Sequence, residues 1–388
     1  MGKFAFLHEH LRQLEADNLL RRLRRVESAA DVVIRTDSAE RPLVNFSSNN
    51  YLNLASDPRV VDAVCSAIQT WGFGAAASRL ICGTMGPHLA LEKACAAFFR
   101  KQAALLFTSG WTANAAVIGT LPQKGDLILM DKADHASILD AAAASGADFR
   151  TYRRGDHARL KRLLQISGYK RKFIVTESVF SMDGDCADLV SLVELRRAHD
   201  AILIVDEAHS AGCMGPTGAG LAEHLGLLEE IDVIIAPLGK AFGAAGAIVA
   251  ADQVVIDYLI NRARPLIYTT APPPGNAAAA LAALEIIRNE PHRRRKLQEN
   301  AAWLRSRLKE QRLDTGNSST WVIPVIIGDS GRTLRAAERL AENGFLLVAI
   351  RPPTVPPGTA RLRISVQAGH TKDQLDALAA ALPDVLAG

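Results

Sequence analysis

From residue 104 to residue 240 the chain alternates short apolar runs with Ala/Leu-rich stretches whose apolar positions recur at helical spacing. The runs are "ALLFTSG" (104–110), "DLILMDKADH" (126–135), "KFIVTESVFS" (172–181), "AILIVDEAHS" (201–210) and "DVIIAPLGK" (232–240). Each is close to continuous Ile, Leu and Val, so the strand it predicts has no polar face. Strands of that kind belong to a mostly parallel sheet covered by helices on both sides. With helical candidates such as "DLVSLVELRRAHD" between them, the expected fold class is α/β, a mostly parallel central sheet flanked by helices. The stretch 275–311 predicts a long helix interrupted near Pro291. After it, "WVIPVIIG", "FLLVAI" and "ARLRISV" surround the helical "RTLRAAERLAENG", which predicts a smaller α+β domain. The patch "APPPG" at 271–275 is taken as the boundary, giving an N-terminal segment 1–45, a large domain 46–275 and a small C-terminal domain 276–388. No internal repeat is visible.

Composition narrows what such a chain can be. With 388 residues, 48% hydrophobic and 22% charged, it suits a large globular domain plus a smaller one. A formal net charge of +4 gives no global support to nucleic-acid binding. The basic runs "LLRRLRRVE" (19–27) and "HRRRK" (292–296) are expected on helices, as solvated faces. Five Cys (65, 82, 95, 186, 213) make no CxxC pair and no zinc-ligand spacing, so no metal site is expected and a reducing, cytoplasmic setting is favoured. The opening residues turn charged too soon for a signal peptide, and no apolar run approaches membrane-spanning length.

The polar residues collect where the predicted strands end: Ser109-Gly110, Asp134-His135, Glu177 to Ser181, Asp206 to His209, and Lys240. In open α/β sheets ligands bind beyond the carboxyl ends of the strands. Five strands thus deliver chemistry to one edge. Asp206 closes a wholly apolar strand, which is costly unless a cation or strong donors meet its carboxylate. Lys240 ends another such strand, and a buried Lys–Asp pair would account for both. "FTSGWTAN" adds a strand-to-helix turn whose free amides suit an anion. A phosphate site, a Lys amine, a buried Asp and a His from a further strand together suggest pyridoxal phosphate. Its aldehyde would condense with Lys240, its ring nitrogen would meet Asp206, and His135 would lie against the ring.

The motifs "NFSSNNYLNL", "GTMGPHLALE", "TESVFSMDGD", "VDEAHSAG" and "LGKAFGAAG" resemble those of the α-oxoamine synthases, a family of fold-type I pyridoxal-phosphate enzymes, over nearly the whole chain. Within it, "RPLIYTTAPPP" and "AIRPPTVPPGTARLRIS" look most like members that condense L-alanine with a pimeloyl thioester, releasing CO2 and the thiol carrier. The resemblance implies that Lys240, Asp206 and His135 are catalytic. It further implies that Ser181 and His209 reach the cofactor's phenolic oxygen, and that Ser109 and the amides of Gly110 and Trp111 hold its phosphate. The partner subunit of a homodimer would add Thr269 or Thr270. Arg363 would bind the amino acid's carboxylate, Arg21 the distal carboxylate of the acyl chain, and Asn49, His88 and Thr354 would lie near the substrates. The acyl carrier, coenzyme A or a carrier protein, stays open.

Plainer explanations stand beside several of these. His88 could be only a helix-start residue, one of Arg361 and Arg363 a surface charge, and the four Arg of 21–25 a solvated face. "VDEAH" also occurs in helicases, but neither Gly-Lys pair, Gly2-Lys3 or Gly239-Lys240, sits in a phosphate-binding loop. A silent partner subunit would lack the Lys, which is present here. One departure stands out. Three residues before the Lys, relatives usually carry Thr or Ser to bind the phosphate, and this chain has Pro237.

Overall fold

A computed structural model describes residues 3–387. Positions 1, 2 and 388, which fall within the expected segment 1–45 and domain 276–388, lie outside the described residues, as does Gly2 of the Gly2-Lys3 pair. The chain divides into two compact units, one of residues 52–181 and 186–295, the other of residues 1–51, 182–185 and 296–388.

The larger unit is built on a seven-stranded sheet. Its strands run in the order Ala103–Phe107, Ala247–Ala251, Val233–Pro237, Ile202–Asp206, Lys172–Glu177, Leu127–Asp131 and Asp148–Tyr152. All but Ala247–Ala251 point the same way, since that strand pairs antiparallel with both neighbours while the other pairings are parallel. The five apolar runs form strands as expected because both of their faces are covered. Leu105, Ile128, Val175, Ile204 and Ile235 all lie in one core with Ala116, Val117 and Ile138 of the helices Gly110–Ile118 and Ala136–Ala144.

Two strands were not expected. Asp148–Tyr152 is an edge strand with only Tyr152 buried, so its sequence carries no apolar run. Ala247–Ala251 reads as a plain Gly/Ala segment, yet it is fully buried between two strands. The first half of the predicted long helix, Pro274–Asn289, belongs with this unit and packs on the helix Pro58–Trp71. The expected boundary at 275/276 therefore differs from the division, which falls at 295/296, inside the helix Pro291–Glu310.

In the smaller unit, Val322–Gly328, Ala360–Ser365 and Val348–Ile350 form an antiparallel sheet with Ala360–Ser365 in the middle. A second sheet joins Val33–Ile34, Leu43–Asn45 and Phe345–Leu346, so the N-terminal residues through Tyr51 group with the C-terminal part rather than forming a separate segment ending at 45. The helix Ala5–Ala16 stops at Asp17, and Asn18 adopts a left-handed φ of 56°. The basic run that follows consequently lies outside any helix, not on one as its charge pattern suggested. "HRRRK" does lie on a helix.

Candidate active site

The parallel strands of the larger unit end on one edge of the sheet, and each end delivers a polar group. Ser109 follows Phe107, His135 follows Asp131, Glu177 and Asp206 are the last residues of their strands, and Lys240 comes three residues after Pro237.

Ser109 is the N-cap of Gly110–Ile118. Its Oγ accepts from the Thr112 N–H at 3.2 Å, and its own N–H donates to Thr112 Oγ1 at 2.9 Å. That reciprocal pair holds the turn and leaves the first-turn amides of Gly110 and Trp111 pointing outward as anion donors. A side chain at 110 is excluded, because a Cβ there would lie 2.8 Å from Pro237 Cγ. The Trp111 ring is half exposed and stands edge-on to His135, with centroids 6.1 Å apart.

Asp206 is buried. Its Oδ1 accepts from the Ala208 N–H and its Oδ2 from Asn114 Nδ2, both at 2.9 Å. Asn114 also donates to Ser137 Oγ at 2.9 Å, and Ser137 Oγ lies 2.8 Å from His135 Nδ1. Burial holds the His135 imidazole below its ordinary pKa, against the pull of the Asp206 carboxylate, and Lys240 adds to the lowering. Lys240 Nζ lies 3.0 Å from His209 Nε2, on a ring that is itself buried. Ser181 is half-buried at the end of the run that follows Glu177.

Glu177 pairs in register with Asp206 on the adjacent strand, so two buried carboxyl groups stand side by side. Burial, and then the Asp206 charge, push Glu177 up to about 8. Asp134, whose oxygens accept from the Glu177 and Asp131 N–H groups at 3.1 and 2.9 Å, is likewise raised by burial and by its acidic neighbours.

One expected substrate residue is instead committed to the fold. His88 is fully buried with both ring nitrogens used: Nδ1 accepts from the Met85 N–H at 3.1 Å and Nε2 pairs with the Pro272 carbonyl at 2.9 Å. It is the helix-start residue of Gly86–Phe98, not a group available to substrate. Thr270 is exposed and pairs with Ser78 through an isolated bridge, whereas Thr269 is partly buried.

The smaller unit contributes its own constellation. Arg363 donates to Ser365 Oγ at 2.7 Å, Asn49 Oδ1 at 3.2 Å and Tyr51 Oη at 3.5 Å. Arg361, two residues earlier, is buried as well and is engaged by the Asp183 carboxylate, so neither is a surface charge. Arg21 is exposed and reaches the Pro352 carbonyl at 3.3 Å and Thr354 Oγ1 at 3.4 Å, bringing two expected substrate residues together. They border a groove of about 1520 Å³ that Arg22, Arg24 and Arg351 also line.

Asn114 is the main residue that sequence reasoning missed, since no spacing links position 114 to position 206. Glu177 carried the same signal as Asp206, an acid closing an apolar strand, but received no role. The set in the larger unit fits pyridoxal phosphate: outward amides for a phosphate, an amine for an aldehyde, and a buried carboxylate for a ring nitrogen. Among the described residues no group of His, Cys, Asp and Glu is arranged to hold a metal, and no helix is long and apolar enough to cross a membrane.

Residues 41–382 match the family described as aminotransferase class I and II. The chain is 45% identical over 388 residues to 8-amino-7-oxononanoate synthase of Anaeromyxobacter dehalogenans (strain 2CP-1), covering 99% of this chain and 97% of the relative. Among solved structures, a serine palmitoyltransferase from S. paucimobilis with bound PLP and myriocin is similar with a TM-score of 0.93 at 28% identity, covering 99% of this chain and 97% of that one. An 8-amino-7-oxononanoate synthase from Francisella tularensis is similar with a TM-score of 0.76 at 32% identity, covering 88% of this chain and 98% of that one. The mixed sheet with its helical layers is the fold-type I arrangement of these neighbours. The chain belongs to the aminotransferase class I and II family, in its α-oxoamine synthase branch.

Proposed function

We propose that the chain makes 8-amino-7-oxononanoate, as its curated relatives are named for doing, by a decarboxylative condensation of L-alanine with a pimeloyl thioester. The observation that carries the reaction class is Lys240 Nζ at 3.0 Å from His209 Nε2, in the loop after the strand next to the one that ends in buried Asp206. The substrate pair rests on 45% identity across the length of a relative with that name.

Pyridoxal phosphate, when bound, supplies an electron sink for the carbanion formed at the amino acid's Cα. The chain's own residues do the rest. Lys240 anchors the cofactor through Nζ and, once displaced, takes and returns the Cα proton at that atom. His209 orients Nζ. Asp206 keeps a proton on the ring nitrogen, and the first-turn amides at Gly110 and Trp111, with Ser109, bind the phosphate. His135 covers the ring, and Ser181 is assigned to its phenolic oxygen. Arg363 is assigned to the amino acid's carboxylate with Asn49 beside it, and Arg21 with Thr354 to the distal carboxylate of the acyl chain.

A homodimer is part of this proposal, with Thr270 of each chain serving the other's phosphate. Support comes from Phe73, Ile81 and Tyr268, large apolar side chains that are exposed close in sequence to the Ser78–Thr270 bridge. The cytoplasm is the expected compartment on the cysteine pattern, and an acyl carrier protein remains an alternative donor to coenzyme A.

The test is a visible spectrum of the purified protein during addition of L-alanine, glycine and L-serine, followed by mass spectrometry of products from pimeloyl and palmitoyl thioesters. Alanine and pimeloyl turnover is expected. A colourless protein, or turnover confined to serine and palmitoyl thioester, would refute it.

A further inference from the structure

Asn114 is almost completely buried in the helix Gly110–Ile118, and its Oδ1 has no hydrogen-bond partner among the described residues. A buried acceptor left without a donor is destabilising, and an apolar residue of the same size would avoid it. What the amide does instead is spend both hydrogens of Nδ2, one on Asp206 Oδ2 and one on Ser137 Oγ, each at 2.9 Å. The reverse orientation would set Oδ1 against the Asp206 carboxylate, acceptor against acceptor. Asp206 therefore decides which way the amide faces.

The direction continues outward. Ser137 Oγ accepts from Asn114 and has its own proton to give, and His135 Nδ1 lies 2.8 Å away. The Ser137 backbone N–H also points to Nδ1, at 3.3 Å. A ring nitrogen that receives two donors holds no proton, so the neutral imidazole carries its proton on Nε2. The donors thus diverge from Asn114, one toward the carboxylate and one through Ser137 toward the ring.

We propose that Asn114 is a positioning residue that makes Asp206 and His135 one unit, aiming the carboxylate and, through Ser137, locking His135 as the neutral ring protonated on Nε2. The use of the two end residues rests on the function proposed above; the chain of bonds does not. Groups that act on one ligand must be held within about 0.5 Å of their productive geometry, and a shared relay does this for a carboxylate and a ring that come from different strands.

Asn114→Asp and Asn114→Leu nearly conserve volume, so a residue that only fills space would tolerate both. The first readout uses the full chain without cofactor, labelled with 15N-histidine, at pH 7. His135, assigned by its absence in His135→Gln, is expected as the Nε2-protonated form in the wild type and as a mixture of forms in both variants. The second readout is steady-state kinetics with pyridoxal phosphate bound, where kcat should fall about 10²-fold in Asn114→Asp with KM within about threefold. Should these variants fail to fold by thermal melting, Ser137→Ala breaks the same relay and is expected to give the mixed signature. A wild-type proton on Nδ1, or an unchanged His135 signature in whichever variant folds, overturns the proposal. A chain with the lock intact that takes up no pyridoxal phosphate would sink the proposed function and leave the lock standing.

Discussion

Pro237 and Gly110 are in contact: the proline ring occupies the space into which any side chain at 110 would project, at 2.8 Å from the position of a Cβ. Strand end and helix start meet there, beside the outward amides. Proline brings neither a hydroxyl nor an N–H, so the phosphate has one donor fewer than a Thr would supply. A hydrogen bond to a charged group contributes about 1.5–3 kcal/mol, or one to two decades in dissociation constant. Pro237→Thr is therefore expected to hold pyridoxal phosphate about 10- to 100-fold more tightly. Cofactor retained on dialysis, read by absorbance, checks this; equal retention means that another donor already fills the gap.

Lys240→Ala should abolish turnover and leave the fold in place. The side chain is partly exposed at a loop beyond its strand, so its loss removes no core contact. Turnover within about tenfold of wild type would exclude a covalent role. Circular dichroism would show whether the fold survives.

Asp206→Asn should slow exchange of the alanine Cα proton by about three decades or more, with a smaller effect on cofactor binding. The amide keeps the shape and the contact region of the carboxylate but cannot hold a proton on the ring nitrogen. Proton exchange followed by NMR in deuterated buffer is the measurement. An unchanged rate would assign Asp206 another task.

Glu177 makes the apo chain sensitive to alkali. Its folded value of about 8 stands above an ordinary 4.5, so the folded state binds the proton more firmly than the unfolded state. That contribution is complete below about pH 4.5 and is lost as pH rises through about 8, at up to tenfold in the unfolding equilibrium per pH unit. Asp206, Lys240, Arg154 and Asp134 face this carboxyl from the neighbouring elements. Glu177→Gln should remove the slope, so the wild type loses stability relative to the variant across that window. Parallel denaturation midpoints from pH 5 to pH 9 would show that Glu177 does not titrate there.

The legible part of the molecule was the part whose burial is written in side-chain type. Ile, Leu and Val runs gave five of the seven strands of the large sheet, and a polar residue after each run gave Ser109, His135, Asp206 and Lys240. Ala247–Ala251 escaped because its burial comes from its place between two strands, and alanine carries little strand signal of its own. Asp148–Tyr152 escaped for the opposite reason, being an edge strand with a solvated face. Asn114 joins Asp206 across 92 residues of sequence, a contact that only the packed helix creates. His88 was visible as a motif residue, but its two backbone partners were not.

The strand Ala247–Ala251 also decides how the loop before it behaves. Residues 238–246 join two strands in the interior of the sheet, and within that hairpin Leu238 N–H bonds Gly246 O, Ala244 N–H bonds Leu238 O and Gly243 N–H bonds Lys240 O. To free those amides, either the hairpin or the two central strands must come apart. Fluctuations at the far edge of the sheet or at a terminus therefore do not free these three amides, which exchange hydrogen with solvent only when the hairpin itself opens. The backbone that carries the amine is thus pinned at both ends by strands and across its middle by its own amides.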